Sequence, residues 1–436
     1  MTGVPNLPLQ AVTSGTRKGL FHGWWVVAAS CVGLSTNPGQ FAYGALALFM
    51  QPMQEEFGWS RTGISLALTT FTCALAVTLP FVGRLVDRAG GRAVLLPSMA
   101  VFGLLLALIP VLVSELWHLW IIFVLVGSLA AGANALPYMR IIGAWFDRRR
   151  GLAFGVAMAG GGIGYAYVPP LLQWLIDNHG WRSGYHVLGG IVVFIALPLV
   201  VRFVRESPEE IGLHADGAAA ASVVAHSNDT GAPISFSSMS RNRTFQLLFA
   251  VFVVLSLCLY GGLAHLKSML VDRGMSDQAA ALAQSTLGMA IIVSRAAIGY
   301  LIDRLFAPLV AMGCFIMSAM GFLLLAAGGA GSSTYLGAAL IGLSIGAEID
   351  LLGYLTSRYF GLADFGAVYG LLFSAFLVGT ATGPVVYGVV YDWTGSYLPV
   401  LVGATVSLLA VAASMRWLPA YDRPGNPDIP ESQEAN

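Results

Sequence analysis

The chain has 436 residues, of which 57% are hydrophobic and only 10% are charged, and its mean hydropathy is +0.75. A soluble domain carries roughly 25% charged residues because its surface faces water, so this composition excludes a water-soluble globular protein and indicates a lipid bilayer as the surrounding medium. The formal net charge is zero, with 22 basic and 22 acidic residues, and we expect no nucleic acid partner.

The cysteines and the catalytic motifs give no sign of an enzyme. Each of the four cysteines stands alone in an apolar run, without the spacing of a metal site or a disulfide framework: Cys31, Cys73, Cys258 and Cys314. The sequence also contains no metalloprotease helix motif, nucleophile elbow or phosphate-binding loop. We therefore expect no metal, no cofactor and no catalytic activity.

Apolar segments of the length that crosses a bilayer, about 20 residues, follow one another along the chain. They predict an all-α membrane protein with twelve transmembrane helices in two six-helix bundles. We place the spans at 22–50, 61–82, 93–114, 117–145, 151–176, 183–204, 244–271, 277–300, 305–330, 333–358, 364–391 and 396–417.

A polar stretch rich in Ala, Ser and Gly separates the sixth and seventh spans and is typical of a flexible linker. The predicted organisation is an N-terminal tail, an N-terminal bundle, a linker, a C-terminal bundle and a C-terminal tail, at 1–21, 22–204, 205–243, 244–418 and 419–436.

The basic residues predict the direction of insertion. Of the 22 lysines and arginines, sixteen lie on the side of the two tails, and four lie on the opposite side: Arg61, Arg182, Lys267 and Arg273. Because basic residues are enriched in cytoplasmic loops, we expect both termini to be cytoplasmic in a plasma (inner) membrane protein.

The two halves repeat each other in sequence. Gly83-Arg-Leu-Val-Asp87-Arg88 after the second span returns 216 residues later as Gly299-Tyr-Leu-Ile-Asp303-Arg304 after the eighth. Around the fifth and eleventh spans, five residues return at an offset of 215: Gly151, Gly155, Pro169, Asp177 and Gly180 as Gly366, Gly370, Pro384, Asp392 and Gly395. Carriers with such parallel repeats bind substrate between the halves, near the midplane.

These motifs resemble a known family. Gly83-Arg-Leu-Val-Asp87-Arg88-Ala-Gly90-Gly-Arg92 is similar to the loop signature of the major facilitator superfamily. Within it, His22-Gly23-Trp24-Trp25 resembles the start of the first span of monocarboxylate porters. The run from Trp145 to Ala153 is similar to the fourth-to-fifth loop of that group and of oxalate:formate antiporters, and Ser294-Arg295 resembles their eighth span.

Arg295 lies deep in the eighth span, too far from its end to reach the interface easily. Its planar guanidinium matches a carboxylate in two-point contact, and the resemblance implies that it binds the substrate carboxylate. The alternative is an ion pair that joins two helices.

Glu348 and Asp350 are ionisable residues of the tenth span, two positions apart and therefore about 200° apart around the helix. One is expected to face the cavity and the other a neighbouring helix. Either could carry a proton or serve as a counter-ion of Arg295. Where the family often has an aspartate one turn before the arginine, this chain has Ile291, which makes the two tenth-span acids the natural substitute.

His265 lies near the outer end of the seventh span. It is a candidate for pH-sensitive proton coupling, and an ordinary interfacial histidine is the alternative. Nearby Lys267 is expected to extend to the interface.

Uncharged polar residues complete a predicted substrate cavity. Asn134 and Tyr138 are four positions apart in the fourth span, so we expect them to share one helix face. The other candidates are Asn37 and Tyr43 in the first span, and Tyr260 and Tyr354 in the second half.

A second set of charged residues is predicted to form a cytoplasmic gate that holds the halves together in the outward-open state. Asp87 and Asp303 occupy equivalent positions of the two halves. The full set is Asp87, Arg88, Arg92, Arg140, Asp303 and Arg304.

The resulting hypothesis is a secondary carrier, functional as a monomer, that moves a small organic monocarboxylate with a proton by alternating access. The alternative is an organic-anion antiporter of the oxalate:formate type or an efflux carrier of the same fold. The eleventh span, 364–391, has no lysine or arginine, which argues against oxalate because a dianion favours a second cation.

Overall fold

The computed structural model describes residues 21–217, 236–328 and 331–421. Within these ranges the regular secondary structure is helical, without a strand. Residues 1–20 and 422–436 of the predicted tails and residues 218–235 of the predicted linker lie outside the described residues.

The spans of the first half are long helices that start and end close to the predicted limits. The first is His22–Ser35 followed by Gly39–Gly44 and Ala45–Phe57; the others are Arg61–Ala89, Gly91–Leu112, Leu116–Leu129 with Ala135–Trp145, Arg150–His179, and Trp181–Ile191 continuing through Val192–Ala196 to Leu197–Phe203.

The second half repeats this order of helices. Its six spans are Arg243–Asp272, Asp277–Arg304, Ala307–Ala326, Ser332–Tyr359, Phe365–Thr394 and Leu398–Ser414, the last followed by the short turn Met415–Trp417. Side-chain caps begin two of them: Ser276 accepts from the backbone N–H of Ala279 at 3.3 Å, and Asn242 accepts from that of Thr244 at 2.9 Å.

Two spans that the sequence predicted as continuous helices are interrupted. The first changes from α to wider π geometry at Gly39–Gly44, directly after Pro38, whose missing N–H breaks the helical ladder. The fourth breaks at the short 3-10 turn Ala131–Ala133, and Asn134 is extended, with φ −83° and ψ −173°.

The outer surface of the bundle is apolar. Phe194 is 79% exposed, Val111 70% and Trp393 83%, and a water-soluble monomer does not expose large apolar side chains over a whole surface. Ten of the described helices are long and apolar enough to cross a membrane, and Leu116–Leu129 is a shorter apolar helix. The protein is a multi-pass membrane protein.

Two pairs of spans join the halves: the second packs along the eleventh, and the fifth along the eighth. We define the basic face as the end of the bundle where the first span begins and the twelfth ends. It includes the loops at 90, 146–149, 305–306 and 360–364.

The first residues of the predicted linker are ordered against this face. They form the short turns Pro208–Ile211 and Ala215–Gly217, and the Asp216 carboxylate accepts from the backbone N–H groups of Asp147 and Arg148 at 2.9 and 2.7 Å. The composition rich in Ala and Ser did not reveal these contacts, because they depend on a single capping carboxylate.

Candidate substrate site and basic-face gate

Asp87 and Asp303 each bridge the two halves at the basic face. The Asp87 carboxylate accepts from the backbone N–H groups of Gly366 and Ala367, both at 2.7 Å, at the start of the eleventh span. The Asp303 carboxylate accepts from those of Gly151 and Leu152 at 2.6 and 2.8 Å, at the start of the fifth. Since helix N-termini attract negative charge, each contact stabilises the joined halves by about 0.5–2 kcal/mol.

Glycine permits this close approach. A Cβ on Gly83 would lie 1.9 Å from the carbonyl oxygen of Gly366, and one on Gly299 would lie 2.7 Å from that of Gly151. No side chain fits at the first distance. The repeated glycines therefore allow the paired spans to touch where the aspartates reach across.

A further ion pair crosses between the halves beside these contacts. Arg358 at the end of the tenth span donates from Nη1 to Asp147 Oδ1 at 2.8 Å and from Nη2 to the Asp147 carbonyl at 2.7 Å. Buried Arg150 donates to the Ser357 hydroxyl at 3.3 Å. Asp147, Arg150 and Arg358 were missing from the predicted gate, although Asp147 and Arg150 lie in the fourth-to-fifth loop that resembled the porter family.

Arg140 and Arg92 act within the first half, at the same face. Arg140 donates to Glu206 and lies 3.8 Å from Asp87, and Arg92 donates to the Val201 carbonyl at 3.0 Å. Glu206 also accepts from the backbone N–H groups of Gly91 and Arg92 at 2.8 and 2.7 Å. Glu206 was missed because its partners are 66 to 115 residues away in sequence.

Arg88 and Arg304, the remaining predicted gate residues, are exposed. The Arg304 guanidinium lies over the Tyr300 ring at 4.2 Å from its centroid, one turn back on the same helix. The structure thus brings the aspartates of the repeated motif to the interface between the halves, and leaves the adjacent arginines at the surface.

Contacts between the halves continue from the basic face toward the middle of the bundle. The Ser374 hydroxyl donates to the Ala76 carbonyl at 2.7 Å, and a Cβ on Gly155 would lie 2.5 Å from the Arg295 carbonyl oxygen. The basic face is therefore closed up to the level of Arg295.

Arg295 lies beside Asp350 in the middle of the second half. Its Nη1 is 3.8 Å from Asp350 Oδ1, with side chains 13% and 0% exposed. That distance is an ion pair but exceeds a hydrogen bond, and among the described residues neither Nη1 nor either Asp350 oxygen has a hydrogen-bond partner. The guanidinium keeps hydrogen-bonding capacity that a second carboxylate could use.

Glu348 contacts a different span. The Tyr260 hydroxyl of the seventh span donates to Glu348 Oε1 at 2.7 Å, while Oε2 has no partner among the described residues. Glu348 is 1% exposed, and the Tyr260 ring packs edge-on against Phe376. The two acids of the tenth span face different neighbours, in agreement with their spacing of two residues.

Tyr354 does not join the Arg295 site. It is 3% exposed and lies under the Arg358 guanidinium, 5.1 Å from the ring centroid, in the gate. It lies one turn beyond Asp350, at the level of the contacts of the basic face, and its role in the cavity stays a prediction.

Asn134 and Tyr138 do not form the predicted pair. Asn134 precedes the helix in extended conformation and its Nδ2 donates to the Ala131 carbonyl at 3.3 Å. Tyr138 is fully buried, with its hydroxyl directed at Met99 Sδ at 3.2 Å and packed on Gly33. The break in the fourth span removes the common helix face on which the pairing depended.

Asn37 terminates the first part of the first span. Its Oδ1 accepts from the backbone N–H of Gly39 at 2.8 Å, a local turn that stabilises the change in helix geometry. The Tyr43 side chain, also predicted for the cavity, lies outside the described part of the structure.

His265 connects three spans of the second half. Its Nε2 lies 2.9 Å from the Pro384 carbonyl and its Nδ1 lies 3.0 Å from the Tyr397 hydroxyl. A carbonyl only accepts, so Nε2 carries a proton and donates to it. With both ring nitrogens engaged, the arrangement favours the interfacial structural alternative over a proton-coupling role.

Comparisons with known proteins agree with this architecture. The Major Facilitator Superfamily model matches residues 32–363. Monocarboxylate transporter 2 of Mus musculus is 26% identical over 422 residues, covering 91% of this chain and 85% of that protein. Monocarboxylate transporter 12-B of Danio rerio is 26% identical over 398 residues, covering 86% and 83%.

The fold is also similar to that of a solved structure, the fucose:proton symporter of E. coli. It aligns with a TM-score of 0.67 at 13% identity, covering 91% of this chain and 98% of that one. The repeated gate motif, the twelve spans and the match over most of the chain lead to one assignment: this chain belongs to the major facilitator superfamily, whose members are transporters and not enzymes.

Proposed function

We propose that this transporter carries a small organic monocarboxylate together with a proton across the plasma (inner) membrane by alternating access. The observation that carries the proposal is Arg295, a deep arginine whose neighbouring acid lies beyond hydrogen-bond distance at 3.8 Å. The names of the relatives, monocarboxylate transporters, support the same class of substrate.

The charge balance around Arg295 favours a monoanion. One guanidinium accepts one carboxylate in two-point contact. A dianion would leave a second buried negative charge beside Asp350 and Glu348, which is costly in a medium of low dielectric constant.

Glu348 is the acid that we assign to the proton. Asp350 has a cation beside it, whereas the hydrogen-bond partner of Glu348 is the neutral Tyr260 hydroxyl. Burial disfavours the charged form of a carboxyl, the Tyr260 hydroxyl can donate to Glu348 in either form, and binding of a substrate anion nearby would favour the proton further.

The basic-face contacts support the conformational part of the proposal. With that face oriented to the cytoplasm, as the basic residues predict, the closed arrangement is the outward-facing state. Separation of Asp87 and Asp303 from the two helix N-termini would open the inward-facing state. We propose that one chain, acting as a monomer, performs this cycle.

Uptake by purified protein in liposomes tests the function. We expect an inward proton gradient to drive accumulation of a labelled short-chain monocarboxylate such as lactate, but not of its uncharged amide. Arg295→Ala should reduce carboxylate uptake at least about 100-fold, because loss of a buried charged contact costs about 3 kcal/mol or more.

Arg202→Ala is the matched control. Arg202 is exposed, stacks on Phe203 and does not reach the bundle interior. Uptake by the Arg202→Ala variant should therefore equal that of the unmodified protein. Carboxylate uptake that persists in Arg295→Ala would refute the assigned role. Uptake that ignores the proton gradient but requires an internal anion would replace symport by the antiport alternative.

A further inference from the structure

Capture of a substrate carboxylate by Arg295 creates a problem for Asp350. The carboxylate of Asp350 is fully buried, and its ion-pair partner in the structure is Arg295 at 3.8 Å. When that guanidinium turns to a substrate, the negative charge of Asp350 is less compensated, and a buried carboxylate without hydrogen-bond donors is strongly destabilising. A second donor near Asp350 would lower this cost.

Tyr369 of the eleventh span is a candidate for this donor. It is 1% exposed, and its hydroxyl has no hydrogen-bond partner among the described residues. It interacts electrostatically with both Asp350 and Arg295. A buried tyrosine hydroxyl normally finds a partner, so an unpaired one within electrostatic range of a carboxylate whose two oxygens are also unpaired is unusual.

The ring of Tyr369 is held in place while its hydroxyl proton is free to rotate. Phe365 stacks on it at 5.3 Å and Phe373 at 5.7 Å between ring centroids. Both phenylalanines lie four positions from Tyr369 on the same helix, so the three rings stack along one helix face and hold the tyrosine ring in one orientation. The hydroxyl is therefore a prepositioned donor rather than a mobile side chain.

We infer that Tyr369 is a positioning residue for substrate binding: its hydroxyl donates to Asp350 when the substrate carboxylate takes over Arg295. The exchange breaks the Arg295–Asp350 ion pair, forms the Arg295–substrate contact and forms one Tyr369–Asp350 hydrogen bond, with no proton transferred. Asp350 stays ionised, and the transported proton stays with Glu348. The inference rests on the proposed function, since it requires an anionic substrate at Arg295.

The groups that surround Asp350 define the expected pH dependence. They are Arg295 on the eighth span, Glu348 on the tenth and Tyr369 on the eleventh. Without the Tyr369 hydroxyl, an ionised Asp350 competes with the substrate for Arg295. A protonated Asp350 needs no donor and does not compete, so the defect should shrink as the pH falls.

The test is the substrate dependence of uptake by Tyr369→Phe in liposomes. We expect the KM for the monocarboxylate to rise about tenfold at neutral pH, the size of one hydrogen bond to a charged group, with a nearly unchanged maximal rate. At acidic pH the ratio to the unmodified protein should approach one.

Tyr185→Phe is the matched control, because Tyr185 is also fully buried with an unpaired hydroxyl but lies in the sixth span, in the first half. The KM of Tyr185→Phe should stay within about twofold of that of the unmodified protein. An equal rise in KM in both variants would mean that the loss of any buried hydroxyl perturbs packing, and would overturn the inference.

The Asp350→Asn background separates a role through Asp350 from a direct role. There Tyr369→Phe should no longer raise KM, because no carboxylate remains to be compensated. A full effect in that background, or an unchanged KM in the single variant, would contradict the inference. If Arg295→Ala transported carboxylates normally, the proposed function itself would fail, whatever the result for Tyr369.

Discussion

At the basic face, Asp87 of the first half and Asp303 of the second make the same contact, each accepting two backbone hydrogen bonds from the start of a span in the other half. In the middle of the membrane the halves differ. In the first half, the residue equivalent to Arg295 by the same 216-residue offset is Leu79, which is uncharged and fully buried.

This difference separates two requirements of a carrier. Alternation between two states needs an interface that closes and opens symmetrically, and a duplicated motif supplies it. Binding one anion and one proton needs a single set of charges, because each buried charge is costly. The charges in the middle of the bundle accordingly lie in the second half, at Arg295, Glu348 and Asp350, while the bridging aspartates are present in both halves.

The largest effect is expected at Glu348, the proposed proton carrier of the second half. Glu348→Gln should abolish accumulation driven by a proton gradient, since an amide cannot take up the proton. Exchange of labelled for unlabelled substrate should continue at roughly the normal rate, measured by counterflow in the same liposomes. Gradient-driven accumulation in Glu348→Gln would break the assignment of the proton to the second half.

A moderate and equal effect is expected from the two gate aspartates. Asp87→Asn and Asp303→Asn each lose the charge that attracts a helix N-terminus, so each should raise the population with an open basic face about five- to tenfold. Spin labels at Arg88 and Arg304, both exposed, report the distance across the face, after replacement of exposed Cys73. Effects that differ more than about threefold would contradict a symmetric gate.

A smaller effect, on the Tm, is expected at the N-terminal caps of the third and ninth spans, which differ between the two halves. Glu206 caps the third span with a carboxylate, whereas at the ninth span the Ala307 N–H donates to the Tyr421 hydroxyl at 3.2 Å. Glu206→Gln should lower the Tm by about 2–4 °C, because contacts to charged groups are the stronger ones. Tyr421→Phe should change it by about 1 °C or less. Thermal unfolding of the purified protein measures both.

The smallest effect is expected at His265. Because its ring joins the Pro384 carbonyl to Tyr397 and lies outside the Arg295 cluster, His265→Gln should leave uptake within about twofold and preserve its pH profile. A shifted pH profile would show that proton coupling extends to the outer end of the seventh span.

Features that recur in both halves, or that depend on the composition of one span, could be predicted from the sequence. The spans, the glycines of close approach and the bridging aspartates all follow from apolar length and from a constant offset between the halves. Arg295 and the two acids of the tenth span stand out because charge is rare inside a membrane.

Contacts that depend on helix rotation or on a break in a helix were not predictable in the same way. The pairing of Asn134 with Tyr138 assumed a continuous fourth span, and the break at Ala131–Ala133 removed it. The Asp147–Arg358 pair joins residues 211 positions apart, and no local pattern specifies such a contact. Tyr369 appeared in the sequence as one tyrosine among fifteen.

The central claim is that the second half handles both the anion and the proton, at Arg295 and Glu348 respectively. The most direct measurement is proton uptake by the purified, weakly buffered protein when a monocarboxylate is added at a pH at which Glu348 is ionised before binding, followed with a pH indicator. We expect about one proton per bound carboxylate in the unmodified protein and in Asp350→Asn, and none in Glu348→Gln despite continued binding. Proton uptake that survives in Glu348→Gln, or that disappears in Asp350→Asn, would contradict the account.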